Sequence, residues 1–127
     1  MAVLHTAQRV LVADDDRGMR ELLRHFLMVT GYGVDLCENG RAALERLVSE
    51  SYSFLILDYL MPPRTGLEVI KELRAKGNNV PVILMSGTFN RDVLEICLRT
   101  ESVTEISKPF GLEELRRVID MVAPKTM

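Results

Sequence analysis

Three short runs, "RVLVA" (9–13), "FLIL" (54–57) and "PVILM" (81–85), are nearly continuous in Val, Ile and Leu and lie between longer segments of helical period. Runs this short and this apolar suit strands covered on both faces, as in a parallel sheet, and fall well below the roughly 20 residues of a membrane helix. Two more, "YGVDLC" (32–37) and "VTEIS" (103–107), alternate polar and apolar residues, as edge strands do. The intervening segments place Met19, Leu22, Leu23, Phe26 and Leu27 on one helical stripe between Arg17 and Thr30, and Ala43, Leu44, Leu47 and Val48 on a second. Leu67, Ile70 and Leu73 form a third, Val93, Leu94, Cys97 and Leu98 a fourth, and Leu112, Leu115, Val118 and Ile119 a fifth, in a helix from about Gly111 to Val122. Asp16, Asn39 and Asn90 are placed to cap helices, Thr65 with Glu68 spells a capping box, and Gly31 and Gly77 supply stops. Strand and helix thus alternate five times. Because crossovers between parallel strands are right-handed, this predicts an open five-stranded parallel sheet with helices on both faces.

The 127 residues suffice for one core, so a single domain over 1–127 is expected, with its packed part about 8–123. Sixteen Lys and Arg against eighteen Asp and Glu leave a net charge of -2 without blocks of like charge, which argues against nucleic acid or an anionic membrane as partner. Cys37 and Cys97 lie far apart within apolar patterns and read as reduced thiols, while His5 and His25 have no ligand-like neighbours and the methionines read as core filler. The N-terminal "MAVLHTAQRV" lacks the apolar core and cleavage site of a signal peptide, so a cytoplasmic location is expected.

Open parallel sheets bind ligands beyond the carboxyl ends of their strands, and here those ends are polar. The first strand runs into Asp14-Asp15-Asp16, the third into Asp58, the fourth into Ser86-Gly87-Thr88 and the fifth into Ser107-Lys108-Pro109. An acid directly after "FLIL" must reach solvent, meet positive charge, or be there to react, since an unpaired buried carboxylate is costly. Carboxylates, a hydroxyl and an ammonium at one edge suit a divalent cation and a phosphoryl group, with Asp58 as nucleophile and Lys108 as its charge partner. For each residue alone a blander role, as cap, turn hydroxyl or surface charge, would serve; it is the conjunction that points to chemistry.

The stretches "RVLVADDDRGMR", "LILDYLMPPRTGLE", "VILMSG" and "SKPF", in this order and spacing, resemble the receiver domain of bacterial two-component response regulators over nearly the whole chain. The resemblance implies a flavodoxin-like (βα)5 fold with strand order 2-1-3-4-5. It implies Mg²⁺ (or Mn²⁺) held by Asp14, Asp15, Asp58 and the backbone carbonyl of Leu60, with Asp15 the more direct ligand of the acidic pair. Asp58 would be the phosphoacceptor, Ser86 the switch hydroxyl with Gly87 leaving space beside it, Lys108 the phosphate partner, and Pro109 a proline that in this family often follows a cis bond. A sensor histidine kinase or phosphotransfer protein would supply the phosphoryl group. A downstream protein or output domain would read the surface of helix 4, strand 5 and helix 5, with phosphorylation-linked homodimerisation as an option. Such a chain is not a turnover enzyme. The sequence stops at "VAPKTM", so either a stand-alone receiver or a segment of a longer regulator is expected.

Glu105 stands where the family usually has an aromatic residue that swings between exposed and buried positions. Desolvation of a carboxylate argues that Glu105 stays outside the pocket an aromatic ring would fill. Glu101-Ser102 replaces a common Gly-Ala, which suggests a different turn. Leu60 and Thr88 occupy positions that in the family modulate hydrolysis of the aspartyl phosphate, and an apolar Leu60 cannot orient water, so slow autodephosphorylation is expected. Two rival functions stand beside the switch: a receiver-like interaction module independent of phosphorylation, favoured by Glu105, and an aspartyl phosphohydrolase, disfavoured by Leu60 in place of an acid.

Overall fold

The computed structural model describes residues 8–87 and 91–124. Five strands, β1 (Arg9–Ala13), β2 (Gly33–Cys37), β3 (Phe54–Asp58), β4 (Val82–Ser86) and β5 (Val103–Ser107), form one parallel sheet in the order β2-β1-β3-β4-β5. Helices α1 (Arg17–Val29), α2 (Gly40–Ser49), α3 (Gly66–Ala75), α4 (Arg91–Arg99) and α5 (Leu112–Val122) make the crossovers. The flavodoxin-like order expected from the sequence is therefore present, and the two alternating runs are the sheet's edges. Among the described residues no helix is long and apolar enough to cross a membrane.

Strand periodicity divides the core in two. Leu11, Leu55, Leu57 and Leu84 pack on one face with Leu47, Ile70 and Val93, whereas Val10, Ile56, Ile83 and Met85 pack on the other with Leu23, Leu27 and Leu115. Both sets are buried because β1, β3 and β4 are covered on both sides, which is why their sequences do not alternate.

Local signals set the helix ends. Asp16 accepts from the Met19 N–H and Asn39 from the Ala42 N–H, and Thr65 and Glu68 bond each other's backbone reciprocally. Gly31 and Gly77 follow their helices at φ of 102° and 80°, which a side chain would disfavour. Asn90 and its expected cap lie outside the described residues. The helical stripes are narrower than the sequence suggests. Leu22, Val48, Leu94, Leu98 and Leu112 are exposed, and Leu67 is only partly buried while Val69 takes the inward place. A helix on a sheet buries only the arc facing the strands, so apolar residues at the flanks of a stripe stay in solvent.

Between β3 and α3 a two-residue antiparallel ladder pairs Leu60 with Thr65 and Met61 with Arg64, around a cis Pro62-Pro63 bond. It returns the chain so closely that the Gly66 N–H donates to the Tyr59 carbonyl at 2.6 Å. A Cβ on Gly66 would lie 2.7 Å from the Asp58 carbonyl oxygen and 2.8 Å from Leu84 Cδ1. Gly66→Ala is therefore expected to cost about 1–3 kcal/mol through overpacking. Urea unfolding should show a lower midpoint at unchanged slope, and an unaltered midpoint would show that the turn has room to move.

Candidate functional site

The carboxyl ends of β1, β3, β4 and β5 converge on a cleft of about 520 Å³ lined by Asp15, Asp58, Tyr59, Leu60, Pro62, Ser86, Gly87 and Lys108. Asp14, just after β1, lies fully buried behind it. Its carbonyl accepts from Arg20 Nη1 at 2.8 Å and its Oδ1 from the Asp16 N–H at 2.9 Å. Its Oδ2 is buried without a hydrogen bond and faces Lys108 Nζ at 3.6 Å. Asp58, the last residue of β3, is 6% exposed and accepts from Lys108 Nζ at 3.0 Å. Lys108 is fixed from behind, because its backbone N–H donates to the Ser86 carbonyl at 2.7 Å; its bond to Pro109 is cis.

One ammonium thus serves two buried acids, with exposed Asp15 as a third nearby. Burial pushes Asp14 up to about 6, with repulsion from Asp58 and Asp15 adding to it and the Asp16 N–H and Lys108 opposing. Burial also raises Asp58, against the bond from Lys108. For Lys108, burial works against the charge, but the bond from Asp58 and the field of both acids outweigh it and the ammonium is held above its ordinary range. Negative charge remains in excess. Carboxylate oxygens of Asp14, Asp15 and Asp58 lie within 4.8 Å of one another, a hard-oxygen donor set of the size a divalent cation takes. The orphaned Oδ2 of Asp14 is the atom such a cation would satisfy, so the residues present fit Mg²⁺.

The residues expected to act together are brought together: Asp14, Asp15, Asp58, Leu60, Ser86 and Lys108 share this edge, with Gly87 beside them. Glu105 is a correction. It is half-buried, and its Oε2 accepts from the Ser86 hydroxyl at 2.5 Å and from the Ser107 hydroxyl at 3.4 Å. Desolvation alone argued for solvent, but a charge-assisted bond to a buried hydroxyl offsets it. Arg20 was not foreseen, since nothing local marks a helix residue that bonds the Asp14 carbonyl. Thr88 lies outside the described residues.

Residues 10–120 match the family model of the response regulator receiver domain. The chain belongs to this family. It is 38% identical over 107 residues to the response regulator MprA of Mycolicibacterium vanbaalenii, covering 84% of this chain and 46% of that protein. The chain thus spans about half the length of such relatives. Among solved structures it resembles the receiver domain of the Francisella response regulator 1452, with a TM-score of 0.82 and 28% identity over 91% of this chain and 95% of that one. It also resembles the response regulator TrrA of Thermotoga maritima, solved in complex with Mg(2+)-BeF, with a TM-score of 0.80 and 34% identity over 91% and 98% of the two chains. The receiver domain is a component of two-component systems and is not in general a classical enzyme.

The receiver's Asp14 yields a pH test in chelator-treated buffer. A folded-state value of about 6, above the ordinary 3.8, means that the folded form holds this proton more tightly, so its ionisation erodes stability as pH rises from about 4 through 6. Asp14→Asn should therefore be more stable than the wild type at pH 7.5, by about 2–3 kcal/mol, with the difference shrinking towards pH 4. Chemical unfolding at both pH values measures this, and a difference independent of pH would count against it.

Proposed function

We propose that this receiver accepts a phosphoryl group on Asp58 and that the new charge alters its partner-binding surface. The observation that carries this is the contact of Lys108 Nζ with Asp58 at 3.0 Å, inside a cleft also lined by Asp15 and Ser86, with Asp14 buried behind it. An Asp58 carboxylate oxygen attacks phosphorus on a phosphohistidine donor. A P–O bond forms, the P–N bond breaks, and its electron pair returns to the imidazole of the donor. Lys108 neutralises charge on the transferring group, and the Ser86 hydroxyl donates to one of its oxygens. Asp14, Asp15, Asp58 and the Leu60 carbonyl would hold Mg²⁺ or Mn²⁺, which when bound supplies charge neutralisation that one ammonium cannot give three acids. Leu60, 62% exposed at the cleft, offers no group to orient a water that would attack the acyl phosphate.

The donor is a sensor histidine kinase or a phosphotransfer protein, and the location is cytoplasmic. The output, through a partner protein, a further domain or a second copy of the chain, uses the surface formed by α4, β5 and α5 and involves no direct nucleic-acid contact by this domain. The receiver folds as one unit across the chain and assists only its own phosphorylation and dephosphorylation.

Incubation with acetyl phosphate and Mg²⁺ should add one phosphoryl group by intact mass to the wild type and none to Asp58→Asn. No gain in the wild type would favour a passive interaction module, and sustained phosphate release without accumulation would favour a hydrolase. The phosphorylated form should lose its group slowly, and Leu60→Gln, which can position water, should speed that loss several-fold. Rapid loss from the wild type would overturn the role given to Leu60.

A further inference from the structure

We propose that Glu105 is a positioning residue that holds the Ser86 hydroxyl in competition with a phosphoryl group on Asp58. This rests on Asp58 as the phosphoacceptor. Ser86 and Glu105 lie on adjacent strands whose register pairs Leu84 with Glu105 and Ser86 with Ser107. Side-chain alternation puts both on the sheet face that carries Leu84 and Val103, the face covered by α4. From one rung below, the longer Glu105 side chain reaches up to the carboxyl edge, where its Oε2 accepts from Ser86 Oγ at 2.5 Å. Its neighbours there are Ser107 and, on α4, the half-buried Cys97, whose thiol is pushed up by burial and then by Glu105.

A serine hydroxyl has one proton to donate. Ser86 is 1% exposed, so its proton goes to a neighbour and not to bulk water, and that neighbour here is a carboxylate. Ser86 also lines the cleft that holds Asp58. A phosphoryl oxygen on Asp58 and Oε2 of Glu105 are therefore rival acceptors for a single donor. When phosphoryl wins, Glu105 is left half-buried and keeps, among the described residues, the long 3.4 Å contact to Ser107, near a newly placed anion. Lost partner and like-charge repulsion both drive it outward. Until then Glu105 opposes capture of the phosphoryl group.

The test is titration of the full chain with beryllofluoride in the presence of Mg²⁺, for the wild type, Glu105→Ala, Glu105→Gln, Ser86→Ala and the double variant Ser86→Ala/Glu105→Ala. Removing a charge-assisted rival bond should tighten beryllofluoride binding roughly tenfold in Glu105→Ala. Glu105→Gln keeps an acceptor oxygen without the charge and should fall between. Mg²⁺ binding alone should not change, and in the Ser86→Ala background removal of Glu105 should give much less gain. Equal affinities in the wild type and Glu105→Ala, or the same gain with and without Ser86, would overturn the proposal while leaving Asp58 as acceptor intact. Binding by Glu105→Ala but not by the wild type would support it in its strongest form. Binding by none of the proteins would overturn both this proposal and the phosphoacceptor role, and thermal unfolding of each variant shows that loss of binding is not loss of fold.

Discussion

The site depends on one ammonium shared between two buried carboxylates. Lys108 Nζ stands 3.0 Å from Asp58 and 3.6 Å from Asp14, and without it the carboxyl edge of the sheet would hold two buried carboxylates with no ion-pair partner among the described groups. Isolated buried charge on that scale would force protonation. The contact also explains why the strand order matters. Asp14 follows β1 and Asp58 ends β3, its neighbour, but Lys108 follows β5, with β4 in between. The lysine must therefore pass over the end of β4, and its backbone N–H is bonded to the Ser86 carbonyl there. Ser86 is at the site because the shared cation reaches across it.

The ammonium does not balance the cluster. Among the described buried side chains, Asp14 Oδ2 alone has no hydrogen-bond partner, and Asp14 and Asp58 are both raised, by burial first and by repulsion from neighbouring acids after it. Buried polar atoms in folded proteins are otherwise nearly always paired. An orphan of this kind, buried behind a cleft that holds two other carboxylates, marks a place where stability has been exchanged for affinity towards positive charge or for reactivity.

Much of this was legible in the sequence because the signals are local. Continuous Val, Ile and Leu marked β1, β3 and β4, and the caps at Asp16, Asn39 and Thr65 fixed three helix starts within a residue. The polar residues after each run then had only one edge on which to meet. What was not legible depends on partners distant in the chain. Glu105 was expected outside because desolvation could be judged from its own chemistry, whereas its compensating donor lies 19 residues away and is reached only through the β4–β5 register. Arg20 is similar, a helix residue whose importance lies in the Asp14 carbonyl it bonds. Leu94 and Leu98 erred the other way, since a helical stripe shows which residues are apolar but not how wide an arc the sheet covers.

Ser86 joins two groups of acids that would otherwise act independently. On one side are Asp14, Asp15 and Asp58 with Lys108; on the other is Glu105 beneath α4. Charge added at Asp58 can reach Glu105 through space or through the hydroxyl. Unit charges some 8–10 Å apart at an effective dielectric of about 20 interact by roughly 2 kcal/mol, and more weakly as salt screens the exposed part of the path. A charge-assisted hydrogen bond is worth about as much, roughly 1.5–3 kcal/mol. The two differ in shape. The through-space field repels every nearby acid alike and changes gradually, whereas the hydroxyl proton points to one acceptor or the other. A two-position response can therefore come from the hydroxyl, with the field biasing which position is held. A carboxylate at position 105 can serve such a response without an aromatic ring, because what it exchanges on leaving is a bond to Ser86 and not the filling of an apolar pocket.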